Sequence, residues 1–338
     1  MAQEEEAAVP QAAEVVLPEP IWEHMPDIIK EKILGAASPI FRGNLRLVSH
    51  EFKRIVDAAK TVYDSFRVTL EQERITLIFS YPGFGWTEIR ISQKRGEYLF
   101  TNERTYASKS VKGQTHWQGA AEYVVQLLGN PKRSCKHFFI SLPRENNDDE
   151  KETRRSFLAV MSQGFSQLSH KISVKKFTFI NYGLEQEPLE MLRNFKPGTL
   201  QSIQLHGQFE RVSGQTTALA LLPQWEEALD LDTTDFDMTG AYRNFCHFRK
   251  STIMVDCMNL KVFKAFLEMF HQHPNIKYNC ITSVRPRTEA EVNYFNDYMA
   301  NYPLHDGKRH IVLPDTDGYL EVSETGLQMK IRRVCEDA

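Results

Sequence analysis

Long apolar runs are missing from this chain, and none approaches the roughly 18 consecutive residues that would cross a bilayer. The opening MAQEEEAAVPQAAEVV lacks the basic start and apolar middle of a signal peptide, so an intracellular protein, cytoplasmic or nuclear, is expected. Cysteine is scarce: Cys135, Cys246, Cys257, Cys280 and Cys335 are an odd number with no CxxC, which favours reduced thiols over a disulfide framework or a metal site. Excess charge of one sign is also missing. Against 44 Asp plus Glu stand 41 Lys plus Arg, a net of -3, which removes any global pull toward nucleic acid or anionic membrane and leaves room for a local basic patch. Enzyme signatures are absent too: there is no Gly-rich phosphate loop, no HExxH and no GxSxG. Gly83 and Gly85 sit beside aromatics in a turn and do not form a nucleotide fingerprint.

What is present suffices for a sizeable core, since 338 residues are 41% hydrophobic. Residues 1–20, rich in Ala, Glu and Pro without period, read as a flexible tail, and Trp22 begins the ordered part. From Met25 the pattern turns helical. Pro26 and Asp27 suit a first turn, and Ile28, Ile29, Ile33 and Leu34 form an apolar stripe with Lys30, Glu31 and Lys32 on the wet side. A second short helix is expected around Leu45, Leu47 and Val48, and a third where Phe52, Ile55, Val56 and Ala59 recur. Such a bundle, residues 21–62, cannot bury both of its apolar sets alone. Either a partner or the following domain, 63–334, must cover one of them.

Beyond Tyr63 short apolar runs alternate with helical segments. Phe66 to Leu70, Ile75 to Phe79 and Thr87 to Ser92 read as strands, with a turn at Tyr81 to Gly85 and a helix at Trp117 to Leu128. Strand-like runs then begin at His137, Lys176, Leu200, Ala228, Ser251 and Tyr278, with helices expected at Arg154 to Leu168, Gln186 to Asn194 and Val262 to Phe270. That recurrence predicts an α/β solenoid of irregular leucine-rich-repeat type, its parallel strands side by side and its helices outside. A non-repeating α/β domain with a mixed sheet would show similar spacing. Pro143 to Arg155 reads as a solvated loop running into a helix, and a helix at Ala290 to Met299 precedes closing strands at 309–313, 319–322 and 327–331, the first two joined by a DTDG turn.

Candidate chemistry is sparse. His247 lies beside Cys246 and ten residues before Cys257, and His271 and His273 flank a helix stop; the plainer reading of both is ordinary core and surface. Asp148, Asp149 and Glu150 read as solvated acids rather than a Mg²⁺ site. Lys132, Arg133 and Lys136 precede one strand and Lys171, Lys175 and Lys176 the next, so a solenoid would gather them on one rim. Phe177 and Phe179 alternate as one face of a strand, and Trp225 is expected to pack a helix against its strand, with an exposed anchor as the alternative.

Met25-Pro26-Asp27, the isoleucine stripe, Leu45-Arg46-Leu47-Val48-Ser49, Phe52 and Ile55-Val56 together resemble the F-box. FKPGTLQSIQL, LLPQWEEALDLD and NFCHFRKSTIMVD are similar to the FOG-type (FTH, DUF38-like) carboxy-terminal region of nematode F-box proteins. The resemblance implies an N-terminal three-helix F-box bundle followed by the leucine-rich-like region, in a non-catalytic substrate receptor of a Skp1-cullin-F-box ubiquitin ligase. Pro26, Ile29, Ile33, Leu34, Leu45, Leu47 and Val48 would meet a Skp1-type adaptor, and through it a cullin, while the later domain grips a protein substrate. No cofactor, metal, membrane or nucleic acid is implied. A non-proteolytic adaptor in translational or germline regulation is the alternative.

Overall fold

The computed structural model describes residues 25–36, 50–71, 74–94, 97–102, 107–112, 115–142, 148–180, 186–207, 215–237, 242–313 and 318–335. The chain divides into two units, Met1–Lys60 and Thr61–Ala338. The expected tail, the start at Trp22, the helix around Leu45, Leu47 and Val48, and the DTDG turn fall outside the described residues or at their edge.

In the first unit, α1 (Asp27–Ala36) and α2 (His50–Ala58) pack together. Arg54 on α2 donates to the carboxylate of Asp27, 3.2 Å away, in the first turn of α1. The inward side of α1 differs from expectation. Lys30 and Leu34, one turn apart, are 3% and 0% exposed, whereas Ile28, Ile29 and Ile33 are 63%, 40% and 42% exposed. The period is helical and Lys32 is exposed as expected, but Lys30 is buried while the isoleucines are open, because a period does not say which stripe is covered. Lys30 keeps its ammonium 3.9 Å from Asp27, which offsets part of the cost of its burial.

Among the described residues, the second unit is one fifteen-stranded sheet. At its centre β1 (Thr61–Leu70), β6 (Arg133–Ser141), β7 (Ser173–Ile180), β8 (Ser202–His206), β9 (Asp230–Asp237), β10 (Lys250–Val255) and β11 (Tyr278–Ser283) run parallel, each beside the next. Antiparallel strands continue from both sides. β2 (Arg74–Tyr81), β3 (Gly85–Lys94), β4 (Glu97–Asn102) and β5 (Ala107–Lys112) extend β1, while β15 (Gln328–Cys335), β14 (Gly318–Thr325), β13 (Lys308–Val312) and β12 (Leu304–His305) extend β11. The solenoid and the mixed sheet are therefore both present: a parallel array with antiparallel ends. The hairpin at Tyr81 to Gly85 turns on Gly83 and Gly85 at φ 77° and 74°, a backbone region open to glycine.

The parallel strands share one frame. A buried residue is followed after three positions by a second and after two more by a third: Tyr63, Phe66, Val68; Cys135, Phe138, Ile140; Val174, Phe177, Phe179; Leu200, Ile203, Leu205. Ala228, Leu231, Thr233, then Phe248, Ser251, Ile253 and Ile276, Asn279, Ile281 repeat it with polar entries to the core. The first spacing of three breaks simple alternation, so two successive residues leave the core at each strand start. Backbone bonds stitch those starts together: the N–H of Gln201 meets the Lys175 carbonyl at 2.7 Å, Leu229 meets Gln201 at 2.9 Å, Arg249 meets Leu229 at 2.7 Å and Lys277 meets Arg249 at 2.8 Å.

Helices connect the strands: α3 (His116–Leu128), α4 (Asp148–Ser166), α5 (Gln186–Leu192), α6 (Gln215–Ala220), α7 (Pro223–Glu226), α8 (Leu260–Gln272) and α9 (Glu289–Met299). Strand order advances in one direction from β6 to β11, so right-handed crossovers place their helices on a single side of the sheet. α3 starts at a capping box of Thr115 and Gln118, and α9 at one of Thr288 and Glu291. Contrary to the loop expected from Pro143 to Arg155, α4 has begun by Asp148, and Arg154 is 1% exposed. Asp149 occupies the first turn, where negative charge suits the helix dipole. Gly164 on α4 lets the helix approach α3 closely, since an added Cβ would fall 2.7 Å from a Val125 methyl.

Candidate protein-binding surfaces

The exposed side of α1 carries Pro26, Ile29 and Ile33, with Ile28 beside them. Isoleucine in water is costly, at about 25 cal/mol for each Å² left uncovered, and several on one helix side make a partner-seeking patch. Leu34 faces inward and is fully buried. Leu45, Leu47 and Val48 lie outside the described residues.

In the second unit, the side of the parallel strands opposite the core follows from the register. One row reads Ser65, His137, Lys176, Ser202, Asp230, Lys250, Tyr278, Arg332, and the next reads Arg67, Phe139, Thr178, Gln204, Asp232, Thr252, Cys280, Lys330. These side chains are mostly polar and partly exposed, unlike the apolar rows behind them.

Hydrogen bonds order the first part of this face. Thr178 donates from Oγ1 to Gln204 Oε1 at 2.9 Å, and His137 Nε2 lies 2.8 Å from the same hydroxyl. With the Thr178 proton committed to Gln204, His137 donates from Nε2. Burial first, then the charges of Lys176 and Arg67, lower the His137 pKa and keep the ring neutral. The Arg67 guanidinium sits 4.6 Å from the Phe139 ring centre, a cation–π contact that holds an exposed arginine over a half-buried ring. Farther along, Arg249 reaches Asp230 at 3.2 Å, His206 lies 3.9 Å from Asp232, and Lys308 is 3.1 Å from Glu321.

Such a face positions donors, acceptors and charges on rigid strands, and in its hydroxyl–imidazole pair the Thr178 proton goes to Gln204 and not to His137. The Cys135 thiol, which belongs to the core frame, is pushed up to about 12 by burial and is an inert thiol at neutral pH. Cys135, Cys246, Cys257 and Cys280 are free.

Other sequence candidates resolve into structural roles. Trp225 is 1% exposed, which removes the exposed-anchor alternative, and its Nε1 donates to the Asn244 carbonyl at 3.1 Å. His247 Nε2 donates to the Trp225 carbonyl at 2.8 Å, and burial lowers its pKa. The ring thereby locks α7 to the 3₁₀ turn Tyr242–Phe245 instead of serving Cys246 and Cys257. Among the described residues no group of three or more His, Cys, Asp or Glu is arranged for a metal ion. No described helix is long and apolar enough to cross a membrane. Phe177 and Phe179 are both fully buried, so neither is a platform for bases.

Sequence reasoning missed the ordered open face, because polar alternation reads simply as surface. The available signal was the shared buried frame, which fixes the residues that line up on the opposite side.

Residues 156–298, from within α4 to within α9, match the FTH domain, so β7 to β11 and their helices form an FTH domain. No curated protein and no solved structure matches the chain. The match supports a general adaptor role for this part of the chain.

Proposed function

We propose that this chain, with its FTH domain at 156–298, is the substrate-receptor subunit of a Skp1-cullin-F-box type ubiquitin ligase. Its F-box-like part lies in the first unit, which ends at Lys60, two residues before the bound of 62 expected from the sequence, because Thr61 and Val62 belong to β1; the second unit selects the target. One observation supports the recruiting half most directly: α1 turns Ile29 and Ile33 outward while Leu34 and Lys30 face inward. A helix whose isoleucines are uncovered suits docking into an apolar groove on another protein. Pro26, Ile29 and Ile33 make the adaptor contact, Leu45, Leu47 and Val48 extend it, and Leu34 supports the helix from within. The protein makes no bonds itself; it raises the concentration of its target beside the conjugating enzyme carried by the cullin.

The test is co-purification with a Skp1-type adaptor. The intact chain should capture it, and Ile29→Asp with Ile33→Asp, at exposed positions where the fold survives, should reduce capture about a hundredfold, as expected when buried anchors become charges. Capture unaffected by the substitutions, or none by the intact chain, sinks the ligase reading.

A further inference from the structure

The shared frame lines up the two residues that leave the core at each strand start. On β6 and β7 these are Lys136, His137, Lys175 and Lys176; at the starts of β10 and β11 they are Arg249 and Lys277, each just before its strand, and Lys250 and Tyr278, with Arg332 of β15 in register beside Tyr278. Between them, the starts of β8 and β9 contribute Ser202 and Asp230, with Gln201 and Leu229 just before them. The chain is acidic overall, with a net charge of -3, yet this rim is basic. Lys136 is balanced by Asp64 at 2.6 Å and Arg249 by Asp230 at 3.2 Å. Lys175, Lys176, Lys250, Lys277 and Arg332 have no ion-pair partner among the described residues, and all but half-buried Lys176 are exposed.

Two basic clusters thus flank a neutral-to-acidic gap. From β7 to β10 is three strand steps, about 14 Å at the usual sheet spacing, and an extended peptide covers that in about four residues. We infer that this rim binds an extended acidic segment of a partner protein, laid across the strands with one pair of carboxylates at Lys175 and Lys176 and a second, about four residues on, at Lys250 and Arg332. The gap argues against RNA. A nucleic-acid strand carries a charge at every nucleotide and would set phosphate against Asp230, whereas a peptide can place uncharged residues there. The depressed pKa of His137, caused by burial and then by Lys176 and Arg67, agrees with a positive potential at the first cluster.

This inference rests on the reading of the FTH region as a protein-target receptor. The probe is a fluorescein-labelled peptide containing Asp-Asp-Ser-Ser-Asp-Asp, titrated with the full chain by anisotropy. An isomer with its four acids contiguous and a 12-nucleotide oligouridylate serve as comparisons. The spaced peptide should bind about tenfold more tightly than either. Lys175→Glu with Lys176→Glu, and separately Lys250→Glu with Arg332→Glu, should each weaken it at least about tenfold with the circular dichroism spectrum unchanged, as charge reversal at a complementary surface requires. Lys261→Glu on the helix side should change nothing. No binding of the spaced peptide, equal binding of the contiguous isomer, or oligouridylate binding as tightly overturns the inference. Adaptor capture is read on the same proteins: if it persists while peptide binding fails, the rim assignment falls alone.

Discussion

The early and late parts of the parallel array use one backbone frame and hold it in different ways. On the early side the second frame position is a ring: Phe66, Phe138 and Phe177 follow one another at 5.9 and 6.0 Å between centres, and Phe195 closes on Phe177 at 4.9 Å. On the late side the same position holds Ser251 and Asn279, joined by a hydrogen bond of 2.5 Å from the serine hydroxyl to Asn279 Oδ1. Ring packing is strong but nearly indifferent to register, whereas the hydrogen bond is weaker in net terms and specific to one register. The late half also carries a cost, because Asn279 Nδ2 is buried with no hydrogen-bond partner among the described residues. Stability is concentrated early and pairing specificity late.

The largest expected effect breaks the early half. Phe177→Ala should cost about 3–5 kcal/mol in chemical denaturation, the range for emptying a buried aromatic site; a loss below about 1 kcal/mol would mean the rings are loosely packed. Next, Ser251→Ala should cost about 1–3 kcal/mol by stranding the Asn279 amide, and adding Asn279→Leu should restore most of it, since removing both partners leaves nothing unsatisfied. If the double variant is as unstable as the sum of the singles, the pair is not acting through its hydrogen bond.

The smallest effect is in pH. His137 has a folded pKa below its ordinary 6.5, so the unfolded chain binds the proton more readily. Its contribution is present above about 6.5 and is lost as pH falls below that toward the folded value. Melting temperature should decline between pH 7 and 5, and His137→Gln should shrink that decline. Protection factors from hydrogen exchange, which remove the slowing of intrinsic exchange by acid, should fall more in β6 and β7 than in β11 over the same range. An identical response in both places would erase the distinction between the halves.

Much of the array was legible in the sequence. Every strand from β6 to β11 coincides with an apolar run, because strands buried on one face and crossed by helices must concentrate Phe, Ile and Leu. β4 and β5 are not legible in the sequence: EYLFTN and ASKSVK lie toward an edge, and the lysines and serines that suit an edge strand also resemble a loop. The charge around Arg154 reads as solvated, yet the residue is 1% exposed, because a long side chain on a helix can be enclosed by its neighbours. The isoleucine patch was legible as residues, but Lys30 shows that periodicity cannot choose the face. The basic rim was visible as lysines before two strands; only the register adds Lys250, Lys277 and Arg332 to it.

The antiparallel strands at both ends of the array bear on how such a protein can lengthen. A parallel solenoid grows by appending another strand and helix to its last unit, whose free edge repeats the edge before it. Here β2 and β15 reverse direction and take up both of those edges. Descendants with more units would gain them by insertion between β6 and β11, as duplications inside the array, while the terminal hairpins were inherited intact.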